Sequence, residues 1–301
     1  MSKIMPLAQA IRQFVHDGDC VYAAGFTHLI PFAAAHEIIR QRKRDLVLAR
    51  ATPDLIYDVM VAAGCARKLI FSWGGNPGVG MLRPVRTAIE SGQLEIEEYS
   101  HFAMITRVTA GAAGLPFLPM KSTAAPDLPA NNLQYKAVTC PYTGQMLTTV
   151  PALNPDVAII HAQRADANGN AQIWGIIGEQ KEAAFASRRV IITCEEIVDE
   201  SVIRSDPNRT MIPDFIVQAV CQAPHGCHPS YAQGYYDRDN PFYIEWDKIT
   251  SDVAATARWL DEWVYGVRDR DEYWQRLGQE THQRLSVTPR YSQPVNYGDF
   301  E

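Results

Sequence analysis

Two glycine-containing segments stand where buried strands are expected to end, and either could bind an oxyanion or a carbonyl group. The first is Gly25-Phe26-Thr27-His28, which closes the apolar run of residues 20–26. Glycine lets the backbone approach a ligand closely, and the start of the next helix offers unpaired N–H groups. A tight turn with a packed phenylalanine is the alternative interpretation. A single histidine such as His28 is more often structural than catalytic.

The second segment, residues 72–80, contains four glycines in the seven positions from Gly74 onward. So many glycines are costly in backbone entropy, which favours a loop that contacts a ligand over a plain turn. The spacing matches neither G-x-x-x-x-G-K-[ST] nor a complete G-x-G-x-x-G, so it does not predict a nucleotide site. The candidate ligand-binding residues of this loop are Ser72, Gly74, Gly75 and Asn76.

Two further polar pairs follow apolar or strand-like runs. Ser100-His101 comes after LEIEEY, and Glu195-Glu196 comes after RRVIITC. Carboxylates at a strand end can act as bases or nucleophiles, although such a pair is more commonly solvated or salt-bridged. We retain Ser100 and His101 as candidate substrate-binding residues.

A cluster of cysteines and histidines near residue 225 does not predict a metal site. The spacing fits no standard zinc pattern, and such close neighbours cannot all reach one tetrahedral centre. Its members are Cys221, His225, Cys227 and His228, and the following His-Pro-Ser-Tyr segment suggests a rigid structural or interface loop. No G-x-S-x-G, C-x-x-C or H-E-x-x-H motif is present either, so no single stretch contains a complete catalytic apparatus.

Composition narrows the class of protein. The 28 Lys and Arg against 34 Asp and Glu give a formal charge of -6, which argues against nucleic acid as the main partner. No apolar run approaches the roughly 20 residues that cross a bilayer, and the first residues lack the pattern of a signal peptide. The 6 cysteines are scattered, which suggests reduced thiols. We therefore expect a cytoplasmic enzyme or binding protein with no membrane partner.

The order of elements predicts the scaffold that positions these residues. Nearly continuous apolar runs alternate with helical patterns, which is typical of a parallel sheet covered on both faces. An Asn-Gly turn predicts a hairpin over residues 166–174. The predicted strands are residues 20–26, 45–50, 67–73, 156–162, 188–194 and 214–220, and the predicted helices are residues 5–16, 31–42, 52–63 and 81–90. The fold class is therefore α/β, with an open, largely parallel sheet and helices on both faces.

Two regions do not follow this alternation of strands and helices. Residues 110–155 contain seven prolines and few periodic runs, which predicts long, functional loops. The last 50 residues are aromatic, charged and helical. We expect an α/β domain over residues 1–250 and a C-terminal helical extension over residues 251–301.

At this point the motifs resemble a known family. Asp-Gly, two free positions, the apolar residues 21–24, Gly-Phe and a closing proline span residues 17–31. This pattern resembles the signature of the A chains of family I coenzyme A transferases, of the glutaconate and 3-oxoadipate type. The resemblance extends to TPDLIYD, AGCARKLIFSWGGNPGVG, AGAAGLPF, VTCPYTG, DVAIIHAQRADANGNA and HPSYAQGYY. One departure is Leu29, which stands where the broader signature has glycine.

The resemblance implies a CoA-transferase/NagB-like sheet and a CoA thioester as substrate, with no tightly bound cofactor and no metal. It also implies that the catalytic glutamate lies in a Ser-Glu-Asn-Gly motif of a partner, the B subunit, since this chain has no such motif. This chain would then be the A half of an A2B2 enzyme, and the reaction would be ping-pong through a glutamyl-CoA thioester. The Gly25–His28 loop would assist the oxyanion, and Ser72 with the loop from Gly74 to Asn76 would bind the acyl group.

Two alternatives stay open from the sequence. One is a component of a CoA-thioester ring-opening hydrolase of the same family. The resemblance implies that the hydrolase uses an acid near the position of Ser100-His101, where this chain has no carboxylate. The other is a non-catalytic acyl-CoA-binding protein. The acyl substrate itself is not predicted beyond a dicarboxylic or 3-oxo acid, because pocket shape depends on loops and on the partner.

Overall fold

The computed structural model describes residues 2–76, 80–122 and 127–287, and these residues form twelve strands and eleven α-helices. The strands are β1 (Cys20–Ala23), β2 (Leu46–Ala49), β3 (Ala66–Phe71), β4 (Glu95–Glu98), β5 (Phe117–Met120), β6 (Lys136–Thr139), β7 (Met146–Pro151), β8 (Val157–Ala165), β9 (Ala171–Gln172), β10 (Arg189–Ile197), β11 (Thr210–Ile212) and β12 (Ala219–Gln222). The helices are α1 (Leu7–Phe14), α2 (Phe32–Arg40), α3 (Leu55–Ala62), α4 (Arg83–Glu90), α5 (His101–Ala112), α6 (Asp127–Asn131), α7 (Gln180–Ala186), α8 (Glu200–Ser205), α9 (Asn240–Ile249), α10 (Val253–Leu260) and α11 (Arg270–Leu285).

A largely parallel sheet forms the centre of the fold, as predicted. Its parallel strands run in the order β12–β10–β8–β1–β2–β3–β4. The chain therefore steps outward from β1 in one direction and, after β8, in the other. Open α/β sheets bind ligands at the carboxyl ends of the strands where this reversal occurs. The loop that follows β1 lies at this point.

Helices cover both faces of the sheet because successive strand residues point to opposite sides. Val21 packs in a cluster with residues of α1, α2 and α3, whereas Tyr22 packs in a second cluster with residues of α5 and α7. Both side chains are fully buried. This double coverage explains why the strands are apolar along their whole length.

The predicted hairpin is present, since β9 pairs antiparallel with β8 across the turn that follows Ala165. The prediction of long loops over residues 110–155 was wrong in part. α5 extends to Ala112, and β5, β7 and β6 form a separate antiparallel sheet in that order. Pro119 is tolerated because β5 is an edge strand, and Pro151 because it ends β7.

The predicted strand over residues 214–220 was also too long. Pro213 precedes a 3₁₀ turn at Asp214–Ile216, and pairing with β10 begins only at Ala219. The apolar run alone could not separate the turn from the strand.

Helices α9 and α10 pack on the same apolar cluster as the face of the sheet that carries Val21. Trp246 of α9 and Leu260 of α10 belong to this cluster, and the Trp246 indole donates to Asp58 of α3 at 2.8 Å. The division at residue 250 stays a prediction. Across residues 2–76, 80–122 and 127–287, no helix has the length and apolar character needed to cross a membrane.

Candidate active site

The loop after β1 has a conformation that only glycine accommodates at its first position. Gly25 has φ +141°, and a Cβ there would lie 2.8 Å from the carbonyl oxygen of Leu29 and 2.9 Å from that of His28. Thr27 and Leu29 also have positive φ, at 55° and 53°. Non-glycine residues rarely adopt this conformation, so the surrounding structure must hold the loop in place.

Two other segments, one at Arg50 and one at residues 230–231, hold this loop through two of its carbonyl groups and one amide. The Arg50 guanidinium donates to the carbonyl oxygen of Gly25, and the Ser230 hydroxyl donates to that of Thr27 at 2.7 Å. The Leu29 amide donates to the carbonyl oxygen of Tyr231 at 3.0 Å. The strained conformation is therefore built into the fold.

His28 anchors the loop and does not line either cavity described below. Its Nε2 accepts a hydrogen bond from the backbone N–H of Gln233 at 3.0 Å. Its Nδ1 therefore carries the hydrogen and donates it to the carbonyl oxygen of Ile176 at 3.0 Å. Burial lowers the pKa of His28 to about 4, which keeps the ring neutral. The sequence grouped His28 with the ligand-binding residues, and the structure places its side chain in a supporting position.

The glycine-rich loop follows β3 and lies against residues that follow β2. Ser72 donates its hydroxyl hydrogen to the carbonyl oxygen of Ala51, and the Gly75 amide donates to that of Pro53 at 3.2 Å. The side chain of Asn76 is buried, and its amide nitrogen and oxygen have no hydrogen-bond partner among the described residues. Pro77, Gly78 and Val79, also part of the predicted loop, lie outside the described residues.

Two cavities meet at Phe26, which lines both. The first has a volume of about 280 Å³ and the second about 360 Å³. The first is lined by Phe26, Thr27, Arg50, Thr52, Asp54, Trp73 and Gly75. The second is lined by Phe26, His101, Ile105, Thr109, Ile177, Gly178, Glu179 and Glu182. The structure thus brings together the Gly25–His28 loop, the glycine-rich loop and His101 around these two cavities.

A buried ion pair lines part of the first cavity. Arg50 Nη1 and Nη2 donate to the two carboxylate oxygens of Asp54 at 3.3 and 3.2 Å, and both side chains are almost fully buried. Asp54 also accepts from the Ile56 amide at 3.3 Å and so caps α3, two residues later than the Thr52 start that the sequence suggested. Arg50 Nε and Thr27 Oγ1 are buried with no partner among the described residues.

Glu179 lines the second cavity, although the sequence did not predict it as a site residue. Its Oε1 accepts from the Tyr22 hydroxyl at 2.9 Å and from the Ala51 amide at 3.4 Å. Burial, together with this neighbouring carboxylate, raises the pKa of the Tyr22 hydroxyl well above its usual range. The only local signal was the Gly178-Glu179 pair after the hairpin, which is too short to stand out.

Ser100 and His101 have different roles. Ser100 caps α5, because its hydroxyl accepts from the Ala103 amide at 3.1 Å. His101 is the first residue of that helix, and its Nδ1 lies 3.1 Å from Ser72 Oγ. Of the predicted pair, only His101 lines a cavity.

Glu195 lies within β10, belongs to a buried hydrogen-bond network and lines neither of the two cavities. It contacts His161 Nε2 at 2.9 Å, the Tyr236 hydroxyl at 2.7 Å and the His225 amide at 2.7 Å. Although burial favours the neutral acid, these hydrogen bonds hold the pKa of Glu195 below its usual value. The network is a structural hydrogen-bond cluster.

The Cys/His cluster near residue 225 is not brought together as one group. His225 stacks on Trp274 at 3.9 Å between ring centroids, whereas His228 bonds Tyr273 and Asp239, each at 2.9 Å. Cys227 instead places its sulfur within 4.8 Å of ligand atoms of His161 and Glu195. The latter two are 2.9 Å apart, a hydrogen-bond distance that is shorter than the roughly 3.3 Å between ligands of tetrahedral zinc.

Comparison with known proteins agrees with this arrangement. The model of the coenzyme A transferase family matches residues 4–223. The chain is 50% identical over 282 residues to the A chain of 3-oxoadipate CoA-transferase from Pseudomonas knackmussii, which covers 93% of this chain and 99% of that protein. It is 36% identical to the A chain of glutaconate CoA-transferase from Acidaminococcus fermentans, over 96% of each chain. The solved structure of glutaconate coenzyme A-transferase from that organism superimposes with a TM-score of 0.93, covering 98% of this chain and 99% of that one.

Proposed function

The chain belongs to the coenzyme A transferase family, and we propose that it is the A subunit of an enzyme that moves CoA from an acyl-CoA donor to 3-oxoadipate. The observation that carries this proposal is the 50% identity to the corresponding chain of a 3-oxoadipate CoA-transferase, along nearly the whole of both chains. Glutaconate is the second acceptor to consider, given the 36% identity to the glutaconate enzyme. The hydrolase and the non-catalytic binding protein are not favoured, since these relatives are named as transferase subunits.

We propose that the partner, the B subunit, supplies the nucleophile. In the first half-reaction its glutamate carboxylate attacks the acyl-CoA carbonyl and expels the CoA thiolate, which leaves an acyl-glutamyl anhydride. The thiolate then attacks the glutamyl carbonyl, so that the donor acid leaves and a glutamyl-CoA thioester remains. In the second half-reaction the acceptor carboxylate attacks this thioester and expels the CoA thiolate, which leaves an anhydride between the acceptor and the glutamate. The thiolate then attacks the acceptor's carbonyl carbon, so that the new acyl-CoA forms and the glutamate carboxylate is released. No proton transfer is required, because the attacking and leaving oxygens are carboxylates.

We propose that this chain binds and orients the substrate. The Gly25–His28 loop is proposed to place backbone N–H groups at the carbonyl oxygen, where negative charge develops as the carboxylate attacks. Arg50 and Ser230 support this role because they fix the loop before substrate arrives. Preorganised donors stabilise the transition state without the cost of reorganisation.

The assembly and its setting are part of the proposal. We propose an A2B2 hetero-oligomer in the cytoplasm that acts in the catabolism of aromatic or organic acids. All 6 cysteines are free thiols, and four of them are buried, which suits a reducing compartment. The coenzyme enters as the CoA thioester substrate, with no tightly bound cofactor.

Ser72 and Asn76 are proposed to line the acyl-binding side of the site, and their replacement tests this. Asn76→Ala is expected to lower kcat/KM for the acceptor acid by about 10-fold, the effect of losing one hydrogen bond to a charged group. Ser72→Ala is expected to lower it as well, because the loop loses the hydrogen bond from Ser72 to the carbonyl oxygen of Ala51 that holds it in place. Steady-state kinetics of the A–B complex measure this. Wild-type kinetics in both variants would remove the two residues from the site.

The function itself is tested with the reconstituted pair of subunits, using succinyl-CoA as donor and 3-oxoadipate or glutaconate as acceptor. We expect 3-oxoadipate to be the better acceptor. A pair that uses glutaconate and leaves 3-oxoadipate unchanged would assign the enzyme to the second acceptor class.

A further inference from the structure

The Gly25–His28 loop is held on one side by residues 228–233, which follow β12 and precede α9. Within this segment, the Ser230 hydroxyl donates to the carbonyl oxygen of Thr27 at 2.7 Å. The segment lies outside residues 4–223, the part of the chain that the family model matches. The position of the loop therefore depends on residues beyond the last strand of the central sheet.

Two residues at the starts of C-terminal helices hold this segment by its backbone. Arg270, the first residue of α11, donates from Nη2 to the carbonyl oxygen of His228 at 2.7 Å. The backbone N–H of Asp239, which precedes α9, donates to the carbonyl oxygen of Pro229 at 2.9 Å. These two hydrogen bonds fix the backbone directly before Ser230.

The Asp239 carboxylate is the centre of a polar cluster that joins these elements. Its Oδ2 accepts from His228 Nε2 at 2.9 Å and from Arg284 Nη2 at 3.2 Å. Its Oδ1 accepts from Arg284 Nη1 at 2.8 Å and from the backbone N–H of Phe242 at 3.2 Å. Although burial favours the neutral acid, the hydrogen bonds from His228 and Arg284 lower the pKa of Asp239 to about 2. One carboxylate thus connects the start of α9, the end of α11 and residues 228–233.

His228 links this carboxylate to the backbone near the loop. The ionised carboxylate can only accept, so the hydrogen of the imidazole is on Nε2. Burial lowers the pKa of His228 to about 4, so the ring is neutral and its Nδ1 accepts from the Tyr273 hydroxyl at 2.9 Å. Both ring nitrogens are bonded, which fixes the orientation of a side chain two residues before Ser230.

Apolar packing already holds the C-terminal helices on the sheet. Trp246 of α9 and Leu260 of α10 belong to the apolar cluster that contains Val21. A buried ion pair adds little net stability, because the desolvation of two charges offsets their attraction. The polar cluster around Asp239 is therefore better explained by the orientation that it gives to residues 228–233.

We propose that Asp239 is a positioning residue for CoA transfer, which fixes the Gly25–His28 loop through His228 and Ser230. Asp239 lines neither cavity, so its effect on the reaction passes through the loop. This inference rests on the proposed function. It adds that helices outside the matched residues 4–223 determine the geometry of the loop that is proposed to stabilise the oxyanion.

Asp239→Asn in the A–B complex removes the charge and one acceptor oxygen with little change of shape. We expect kcat to fall by about 10-fold, the effect of a loop shift smaller than 1 Å. The values of kcat/KM for succinyl-CoA and for 3-oxoadipate are expected to fall equally, because the loop acts on charge that develops in the transition states of both half-reactions.

A double-mutant cycle separates positioning from a merely structural role. Ser230→Ala breaks the same connection at the loop and is also expected to lower kcat by about 10-fold. In the Ser230→Ala background, Asp239→Asn is expected to lower kcat by less than about 2-fold further, because residues that act through one connection are not additive. Independent structural effects would multiply to about 100-fold.

Asp19→Asn is the matched control. Asp19 also accepts from an arginine, Arg189, at 2.9 Å and from a backbone N–H, that of His16, at 2.7 Å. It precedes β1 and so lies at the opposite edge of the sheet from the loop. Its replacement is expected to leave kcat unchanged.

Arg284→Met is the second variant, used if circular dichroism shows that Asp239→Asn is unfolded. The Arg284 side chain is 40% exposed, so its removal disturbs the fold less, and kcat is expected to fall by about 3-fold. The proposal is overturned if the folded variant keeps more than half of the wild-type kcat, or if its loss multiplies in full with that of Ser230→Ala. Failure of the proposed function is seen separately, as the absence of CoA transfer by the wild-type pair.

Discussion

Replacing Gly25 with alanine is expected to lower the kcat of the reconstituted enzyme by about 100-fold, the typical cost of displacing a catalytic group by about 1 Å. The new Cβ would lie 2.8 Å from one carbonyl oxygen and 2.9 Å from another. Both are backbone atoms, so neither can rotate away as a side chain would. The loop must move as a unit, and its N–H groups then leave the position where charge develops.

Gly18→Ala is the matched control for this substitution. Gly18 also has a positive φ, +83°, but an added Cβ meets nothing within 4 Å. Its cost is limited to backbone strain of about 1 kcal/mol in stability, and kcat is expected to stay at the wild-type value. Circular dichroism of both variants establishes that each is folded. A folded Gly25→Ala enzyme with more than half of the wild-type kcat would contradict the role given to this loop.

Arg50→Met is expected to lower the free energy of unfolding of the chain by about 3–5 kcal/mol, because it leaves the buried Asp54 carboxylate without its partner. The same change removes the donor that holds the Gly25 carbonyl oxygen. Adding Asp54→Asn should restore most of the stability, since an asparagine still caps α3 and carries no charge. Urea denaturation of the two variants measures this difference.

An exposed ion pair provides the comparison for Arg50. Arg86 pairs with Glu90 on the surface of α4, where their side chains are 62% and 63% exposed. Arg86→Met is expected to lower the free energy of unfolding by less than about 1 kcal/mol, as is usual when a solvent-exposed ion pair is removed. If Arg50→Met lowers the free energy of unfolding by no more than Arg86→Met does, the buried pair does not stabilise the fold around the site as described.

The scaffold was predictable because continuous apolar runs reflect burial on both faces of a sheet. Glycine clusters at strand ends also marked the loops correctly, since a position such as Gly25 excludes every side chain. The three-stranded antiparallel sheet was missed because β5 and β6 are short and mostly exposed, so they lack a strong apolar pattern.

Side-chain roles were harder to predict because they depend on distant parts of the chain. Glu179 reaches the site through Tyr22 and Ala51, which are far from it in sequence. Ser100 looked like a site residue, but the type of residue that contacts a ligand is also the type that caps a helix. Glu195 lies near the expected strand end, but both oxygens of its carboxylate are hydrogen-bonded to residues of other segments.

The central claim is that this chain binds and orients the substrate while a second chain supplies the nucleophile. The most direct test measures CoA transfer from succinyl-CoA to 3-oxoadipate by this chain alone, by a partner chain with a Ser-Glu-Asn-Gly motif alone, and by the two mixed. We expect transfer only in the mixture, with loss of the activity when the glutamate of that motif is replaced. Transfer by this chain alone at the rate of the mixture would contradict the account.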